Sequence, residues 1–128
     1  MERIVEHTRS SDIIVIIGVP VIVGSLLLNC AAVIQRGTLL GIVPKTFLPN
    51  YSEFYEKRWF SSARDIPCET IITYAKQQVV ISRKPTLFRT SDGVIFGTEV
   101  CEDLWSPMPP SNILTVSGAD IIFNLSAS

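Results

Sequence analysis

The 128-residue sequence lacks the motifs that mark several common classes of protein. It contains one histidine and three cysteines, and no two cysteines have the C-x-x-C spacing of a zinc site. Neither the dinucleotide-binding pattern G-x-G-x-x-G nor the phosphate-binding pattern G-x-x-x-x-G-K-[ST] occurs. These absences argue against a zinc module, a disulfide framework and a nucleotide site within these residues.

Charged residues are also scarce, at 18% of the sequence, whereas 47% of the residues are hydrophobic. Eleven Lys and Arg residues oppose twelve Asp and Glu residues, which gives a net charge of −1. A chain with so little imbalance has no basic surface for nucleic acid and no polybasic patch for a membrane. The apolar content excludes a disordered chain, and the length suits one domain. An odd number of widely spaced cysteines favours the reducing cytoplasm.

The longest apolar run is too short and too interrupted for a membrane span. Residues 13–28 carry no charge, but a spanning helix needs about 20 apolar residues. Pro20 stands in the middle of the run, where it would break a helix. We expect a strand over residues 13–17, buried on both faces, that leads into a turn at Gly18 and Pro20. A secretory leader is not expected, because the first twelve residues include three acidic side chains.

The middle of the sequence predicts strands with one irregular segment. Residues 28–35 and 38–43 are strand candidates joined by Arg36-Gly37, which is a hairpin pattern. Residues 45–60 are rich in aromatic and charged side chains and predict a structured loop or a short helical turn. The segment over residues 68–80 fits either a strand or a helix.

The last third predicts a strand–helix–strand unit. Strand candidates over residues 87–90 and 94–100 flank the turn Ser91-Asp92-Gly93. Pro110 suits the start of a helix, Gly118 suits its end, and residues 119–125 follow as a strand. This unit favours an α/β fold over a purely β fold.

Cys101 has a setting that suits a nucleophile. It ends the apolar strand VIFGTEV and precedes Glu102 and Asp103. At a sharp turn after a strand, a nucleophile is exposed and faces backbone N–H groups that stabilise a developing oxyanion. A buried structural cysteine is the alternative interpretation, since free cysteine is among the most buried residue types.

Lys45 is the second candidate, because it follows a strand and a proline inside the aromatic-rich loop. A lysine in that position can stabilise negative charge, although most single lysines are simply solvated. Glu56 and Arg58 in the same loop are candidates for a structural ion pair. His7, the only histidine, has no partner pattern, so a Cys–His dyad is not expected.

Two separated segments resemble the motifs of one enzyme superfamily. GIVPKTFLPNYSEFYEKRWF (residues 41–60) is similar to the lysine motif, and FGTEVCEDLW (residues 96–105) to the cysteine motif, of the nitrilase, or carbon–nitrogen hydrolase, superfamily. The EFYE and CEDLW details and the closing GADIIFNLSAS most resemble the glutamine-hydrolysing domain of glutamine-dependent NAD synthetases. The resemblance covers roughly residues 12 to 128 and keeps the two motifs in order.

The resemblance implies a fold and an activity. The fold would be part of a four-layer α-β-β-α sandwich, incomplete at both ends, with residues 1–128 as a partial domain and the synthetase domain absent. The activity would be hydrolysis of the glutamine side-chain amide through a cysteine thioester, which supplies ammonia for NAD synthesis. The hydrolase half needs no cofactor, while ATP and Mg²⁺ belong to the synthetase domain. The implied partners are glutamine, the synthetase domain and further copies in a homo-oligomer, with no nucleic acid and no membrane.

The resemblance also implies roles for individual residues. Cys101 matches the nucleophile, and Lys45 matches the lysine that stabilises the oxyanion together with the backbone N–H of Glu102. Glu56 matches a supporting glutamate near that lysine. Tyr51 and Glu102 match positions that contact the α-amino end of glutamine, and a phenol and a carboxylate suit an ammonium group.

One part of the pattern is missing from these residues. The superfamily places its general base, a glutamate, upstream in a segment like F-P-E-L. The sequence contains no such segment, and Glu2 and Glu6 stand in a different context, so neither is assigned the role. We therefore expect the isolated chain to lack full activity. Two other interpretations stay open: an amidase or carbamoylase of another nitrilase branch, and a catalytically inactive structural or interaction fragment.

Overall fold

A computed structural model describes residues 1–51 and 53–127. Its strands form a five-stranded sheet, a three-stranded sheet and a two-stranded ribbon, to which two α-helices are added in the described part of the chain. The helices are α1 (Glu2–His7) and α2 (Pro110–Val116). The strands are β1 (Val15–Val23), β2 (Leu26–Gln35), β3 (Thr38–Pro44), β4 (Asn50–Tyr51), β5 (Phe54–Tyr55), β6 (Glu69–Tyr74), β7 (Gln77–Ser82), β8 (Leu87–Arg89), β9 (Ile95–Val100) and β10 (Ile121–Leu125). The predicted α/β class is confirmed.

The five-stranded sheet has the order β1-β2-β3-β7-β6, in which only β3 and β7 run parallel. The predicted β2–β3 hairpin is confirmed. Its turn residues Arg36 and Gly37 both have positive φ, at 49° and 76°, as a type I′ hairpin turn requires. The Gly37 N–H donates to the hydroxyl of Thr8 at 2.8 Å, which attaches the segment after α1 to this sheet.

The structure corrects the prediction for the apolar run. A turn at Gly18 and Pro20 is wrong, because β1 continues through both residues and pairs with β2 along its whole length. Proline is tolerated there because β1 is an edge strand, where one side of the backbone has no ladder hydrogen bond to lose. Burial on both faces is also wrong at the start of the run, since Ile13 is 69% exposed. No helix among the described residues is long and apolar enough to cross a membrane.

The ambiguous segment over residues 68–80 is a hairpin formed by β6 and β7. Its turn residues, Ala75 and Lys76, have φ values of 48° and 61°. Neither is a residue that favours positive φ, so local propensity contains no signal for this turn.

The three-stranded sheet contains the predicted strand–helix–strand unit. β9 lies in the centre, antiparallel to β8 and parallel to β10, and α2 makes the crossover. α2 packs closely on β9 at Gly97, where a Cβ atom would stand 2.7 Å from the side chain of Leu114. Gly118, at φ 108°, follows the helix end as predicted.

The two large sheets pack face to face over a shared apolar core. The buried members of this core are Ala31, Val33, Val43, Phe88, Phe96 and Val100. The opposite face of the five-stranded sheet forms a second core that includes Val5 of α1. β3 and β9 both contribute to the inter-sheet core, and each contains the first part of one of the two resembling motifs.

A single buried hydroxyl in β9 gives a test of this packing. Thr98 is 1% exposed, and its Oγ1 has no hydrogen-bond partner among the described residues. We expect Thr98→Val to raise the free energy of unfolding by about 1 kcal/mol, because the desolvation penalty of the unpaired hydroxyl disappears while the shape is kept. Urea unfolding followed by circular dichroism measures the change.

Thr8→Val is the matched control. The hydroxyl of Thr8 is also buried, but it donates to Val5 O at 2.7 Å and accepts from the Gly37 N–H. This control should lower stability because it leaves both partners unpaired. A loss of stability in Thr98→Val similar to that in Thr8→Val would contradict the prediction.

Candidate active site

Cys101 begins a 3₁₀ turn, Cys101–Trp105, directly after β9. Its φ of 48° lies in the left-handed region, which residues with a Cβ atom seldom adopt. Such a backbone costs about 1–3 kcal/mol. Of the four non-glycine residues with positive φ among those described, Cys101 is the one that lies outside a hairpin turn. The side chain is half-buried, whereas Cys30 is completely buried and burial raises the pKa of its thiol to about 12. Cys101 lies at the edge of the inter-sheet core, which its side chain contacts, and is more open than the fully buried Cys30.

Hydrogen bonds from β10 and the residues after it hold the turn that carries Cys101, and a side chain of β9 supports them. The side-chain amide of Asn124 donates to the carbonyl of Cys101 at 3.2 Å and to the carboxylate of Glu99 at 3.3 Å. The hydroxyl of Ser126 donates to Cys101 Sγ at 3.6 Å. Sequence reasoning missed these three residues. The parallel pairing of β9 and β10 places Leu125 beside Val100, which brings the residues around Leu125 next to the cysteine turn. This pairing is a consequence of the strand–helix–strand unit.

Lys45 is completely buried, so the solvated alternative is wrong for this lysine. Its Nζ donates to Glu56 Oε1 at 2.7 Å. Its backbone N–H donates to the carbonyl of Asn29, and its own carbonyl accepts from the N–H of Ala63. A buried ammonium is tolerated only with a charged or polar partner, and here the fold supplies that partner from the aromatic-rich loop.

Glu56 pairs with Lys45 and not with Arg58, so the predicted Glu56–Arg58 pair is wrong. The guanidinium of Arg58 instead lies over the ring of Tyr55, 5.6 Å from its centre. The second oxygen of Glu56, Oε2, is buried and has no hydrogen-bond partner among the described residues. The ion pair therefore keeps an unused acceptor beside the ammonium of Lys45.

Tyr51 and Glu102 also meet, although they are 51 residues apart. The Tyr51 hydroxyl donates to Glu102 Oε2 at 2.9 Å, and this hydrogen bond to a carboxylate is the main cause of the raised pKa of the phenol. Both side chains line a cleft of about 590 Å³ between residues 46–51 and residues 102–107. Lys57 and Arg64 line the same cleft, whereas Cys101 and Lys45 are not among its described lining residues. The cleft therefore lies next to the cysteine turn and carries side chains of both charges.

Asp103 joins the lysine segment to the cysteine turn, a role that no local pattern indicates. Its buried carboxylate accepts from the backbone N–H groups of Phe47 at 2.8 Å and Thr46 at 3.1 Å. The five residues singled out by resemblance therefore lie on segments that the fold brings together. No group of three or more His, Cys, Asp and Glu side chains within residues 1–51 and 53–127 is arranged to hold a metal ion.

The sequence is similar to one segment of much longer proteins. It is 38% identical over 125 residues to a glutamine-dependent NAD(+) synthetase of Mycobacterium tuberculosis, covering 94% of this chain and 18% of that protein. It is 35% identical over 127 residues to the glutamine-dependent NAD(+) synthetase of Aquifex aeolicus, covering 99% of this chain and 19% of that protein. The chain thus spans less than a fifth of the length of these relatives. No family model matches the sequence.

Solved structures show the same likeness. A glutamine-dependent NAD(+) synthetase from Cytophaga hutchinsonii superposes with a TM-score of 0.75 at 29% identity, over 99% of this chain and 20% of that one. A carbon–nitrogen hydrolase from Helicobacter pylori shares the fold, with a TM-score of 0.71 at 24% identity over 98% of this chain and 36% of that one. The resemblance predicted from the two motifs is confirmed.

Proposed function

We propose, from the premise that this chain is similar to one segment of glutamine-dependent NAD(+) synthetases, that it carries the part of such an enzyme that removes ammonia from glutamine. The observation that carries the proposal is the joining of three features in one place. Cys101 is presented at a strained turn, a buried Lys45–Glu56 pair lies on the segment bound to that turn, and the Tyr51–Glu102 pair lines the adjacent cleft.

The proposed reaction begins with attack of the Cys101 thiolate on the side-chain amide carbon of glutamine. The carbonyl oxygen becomes an oxyanion, the carbon–nitrogen bond then breaks, and the nitrogen leaves as ammonia after gaining the proton that the thiol gave up. The product is a thioester between Cys101 and the glutamyl group. Water then attacks this thioester, which releases glutamate and restores the thiol.

Lys45 is assigned to the oxyanion, together with the backbone N–H of Glu102. A fixed ammonium in a water-poor site stabilises developing negative charge far more than a solvated one does. Glu56 holds Lys45 by the 2.7 Å hydrogen bond, so the ammonium does not have to be ordered when substrate binds. Glu56 therefore acts through Lys45.

Hydrolysis of the thioester also needs a general base for the attacking water. The glutamate that the resemblance assigns to this role is absent from the 128 residues, and Glu56 is already engaged by Lys45. We therefore expect the chain alone to form the Cys101 adduct and to turn over slowly.

Glutamine is preferred over a simple amide because of the Tyr51–Glu102 pair. A carboxylate and a phenol oxygen in one wall of the cleft can accept hydrogen bonds from the α-ammonium of an amino acid. A simple amide or a carbamoyl group has no such ammonium. This feature supports glutamine hydrolysis over an amidase or carbamoylase activity.

Glu102→Gln tests the assignment to the α-ammonium. The variant removes the charge and keeps the size, so protection of Cys101 by glutamine should require about tenfold more glutamine, as the loss of a charge-assisted hydrogen bond predicts. Protection by propionamide, which has no ammonium, should not change. Glu69→Gln is the control, since Glu69 is exposed on β6. An equal loss of protection for both amides would contradict the assignment.

The experiment that tests the proposal as a whole is thiol labelling with a chloroketone analogue of glutamine. Peptide mapping should find the label on Cys101, with Cys30 and Cys68 spared, and free glutamine should compete with it. Equal labelling of all three thiols, or none, would favour the structural-fragment interpretation. Competition by propionamide as strong as that by glutamine would favour another nitrilase branch.

The wider architecture and partners are part of the proposal. Two facing sheets carry α1 on the outer face of one and α2 on the outer face of the other, which supports a four-layer α-β-β-α sandwich. By analogy with the relatives, the released ammonia passes to an ATP- and Mg²⁺-dependent synthetase domain. A homo-oligomeric, cytoplasmic parent enzyme is expected, and light scattering tests the oligomeric state.

A further inference from the structure

Asp103 is a fully buried carboxylate in the cysteine turn, with 1% of its surface exposed. It lies two residues after Cys101 inside the 3₁₀ turn Cys101–Trp105. Burying an ionisable side chain is unfavourable unless its oxygens are hydrogen-bonded. The hydrogen-bond partners of the Asp103 carboxylate therefore indicate the role of this residue.

The partners of Asp103 belong to two distant parts of the sequence. Its Oδ1 accepts from the N–H groups of Phe47 at 2.8 Å and Thr46 at 3.1 Å, and its Oδ2 accepts from Val100 at 3.3 Å with a longer contact to Thr46 at 3.4 Å. Thr46 directly follows Lys45, and Val100 directly precedes Cys101. One carboxylate thus holds the backbone next to the lysine and the backbone next to the thiol.

All the hydrogen-bond partners of the Asp103 carboxylate are donors, so the group is required as an acceptor on both oxygens. Burial raises the pKa of the carboxyl to about 6, against the opposing effects of the hydrogen bonds from the backbone and, to a smaller extent, of the Lys45 ammonium. Other charged groups reach the small space beside it from the neighbouring segments, namely Arg83, Lys84 and Glu99. Cys101 and Glu102 are the ionisable neighbours in its own turn.

We propose that Asp103 is a positioning residue whose carboxylate fixes Lys45 relative to Cys101, so that the ammonium is aligned with the oxyanion before substrate binds. This inference rests on the proposed function. Asp103 does not touch the substrate and acts through the two segments that it joins. Asparagine cannot replace Asp103, because its side chain has a single acceptor oxygen. Its NH₂ group would face a backbone N–H, which is also a donor.

The test compares two reagents at the same thiol. The chloroketone analogue of glutamine places a ketone oxygen where the oxyanion forms, whereas iodoacetamide reports only the ionisation and exposure of the thiol. The ratio of the two labelling rates at Cys101 therefore measures alignment of the lysine. We expect Asp103→Asn to lower this ratio about tenfold or more, since misplacement by about 1 Å is enough for such losses. An unchanged ratio would overturn the proposal.

Two controls separate positioning from unfolding. Asp120→Asn removes a carboxylate that accepts from the N–H of Ile95 at the other end of β9, and it should leave the ratio unchanged. Cys30 is completely buried, so its reaction with iodoacetamide reports loss of the core. A merely structural role for Asp103 would expose Cys30 and raise the iodoacetamide rate at both Cys30 and Cys101, and this result too would count against positioning.

A measurement on the unaltered chain does not depend on whether the variant folds. As the pH falls from about 7.5 to about 5, Asp103 takes up a proton, and one of its oxygens becomes a donor that faces backbone donors. The rate ratio at Cys101 should therefore fall as the pH drops through about 6. A flat ratio over this range overturns the proposal.

Failure of this inference differs from failure of the proposed function. If the chain does not carry a glutamine site, the unaltered protein will react no faster with the glutamine chloroketone than with chloroacetone. If the site exists but Asp103 does not position Lys45, that preference will be present in the unaltered chain and will persist in Asp103→Asn.

Discussion

Cys101→Ser is expected to abolish covalent capture of glutamine analogues, with a loss of at least about 10³-fold in labelling rate, because a serine hydroxyl at neutral pH is a far weaker nucleophile than a cysteine thiol. Stability should change little, since serine differs from cysteine by one atom and the side chain at position 101 is only half-buried. Intact-mass analysis after reaction with the glutamine chloroketone measures the loss.

Cys68→Ser is the matched control for this prediction. Cys68 is half-buried like Cys101 but lies in the segment before β6, outside the cysteine turn. Its replacement should leave the glutamine-specific labelling intact. Glutamine-competed labelling that persists in Cys101→Ser, or that disappears in Cys68→Ser, would show that the nucleophile has been assigned to the wrong thiol.

Lys45→Met is expected to affect both stability and reactivity. Removing one partner of a buried ion pair leaves Glu56 with an uncompensated charge, so the free energy of unfolding should fall by about 3 kcal/mol. Loss of the ammonium should also lower the rate of reaction between Cys101 and the glutamine chloroketone by about 10²-fold, as for removal of an oxyanion donor. Urea unfolding and labelling kinetics measure the two effects separately.

The double variant Lys45→Met with Glu56→Gln separates those two effects. A neutral pair should recover most of the stability, because no uncompensated buried charge remains. It should not recover the reactivity, because no cation faces the oxyanion. Lys76→Met is the surface control, since Lys76 is exposed and its 3.2 Å pair with Glu2 should contribute little. Recovery of labelling in the double variant would remove Lys45 from the proposed mechanism.

The parts of the fold that could be predicted are those with strong local signals. Arg36-Gly37 and Gly93 mark turns because glycine adopts positive φ readily, and Pro110 and Gly118 mark the ends of α2. The turn at Ala75-Lys76 has no such signal, since its backbone is set by the pairing of β6 with β7. Local propensity cannot reveal a conformation that tertiary pairing imposes.

The course of β1 was missed for a related reason. Proline weighs against a central strand, and the sequence does not say which strand lies at the edge of the sheet. Only the strand order places β1 there and makes Pro20 acceptable. An internal proline is therefore a signal of position within the sheet as much as a signal of a turn.

The candidate site likewise combines residues that the sequence indicated with residues whose role only the tertiary structure reveals. Local pattern pointed to Cys101 and Lys45, and resemblance to a motif pointed to the roles of Glu56, Tyr51 and Glu102. The role of Asp103 depends on hydrogen bonds to residues 56 and 57 positions away, and no local pattern records those. Long-range polar contacts of this kind appear only when the two sheets are brought together.

The positive φ at Cys101 also has an evolutionary consequence. Glycine adopts this conformation without penalty, and asparagine does so with little, so selection for folding alone would drive position 101 away from cysteine. Selection for thiol chemistry acts in the opposite direction. A gene copy released from that chemistry would be expected to acquire glycine or asparagine here early in its decay, before changes in the core accumulate. Position 101 thus offers a simple genetic marker for telling working copies of this segment from relics.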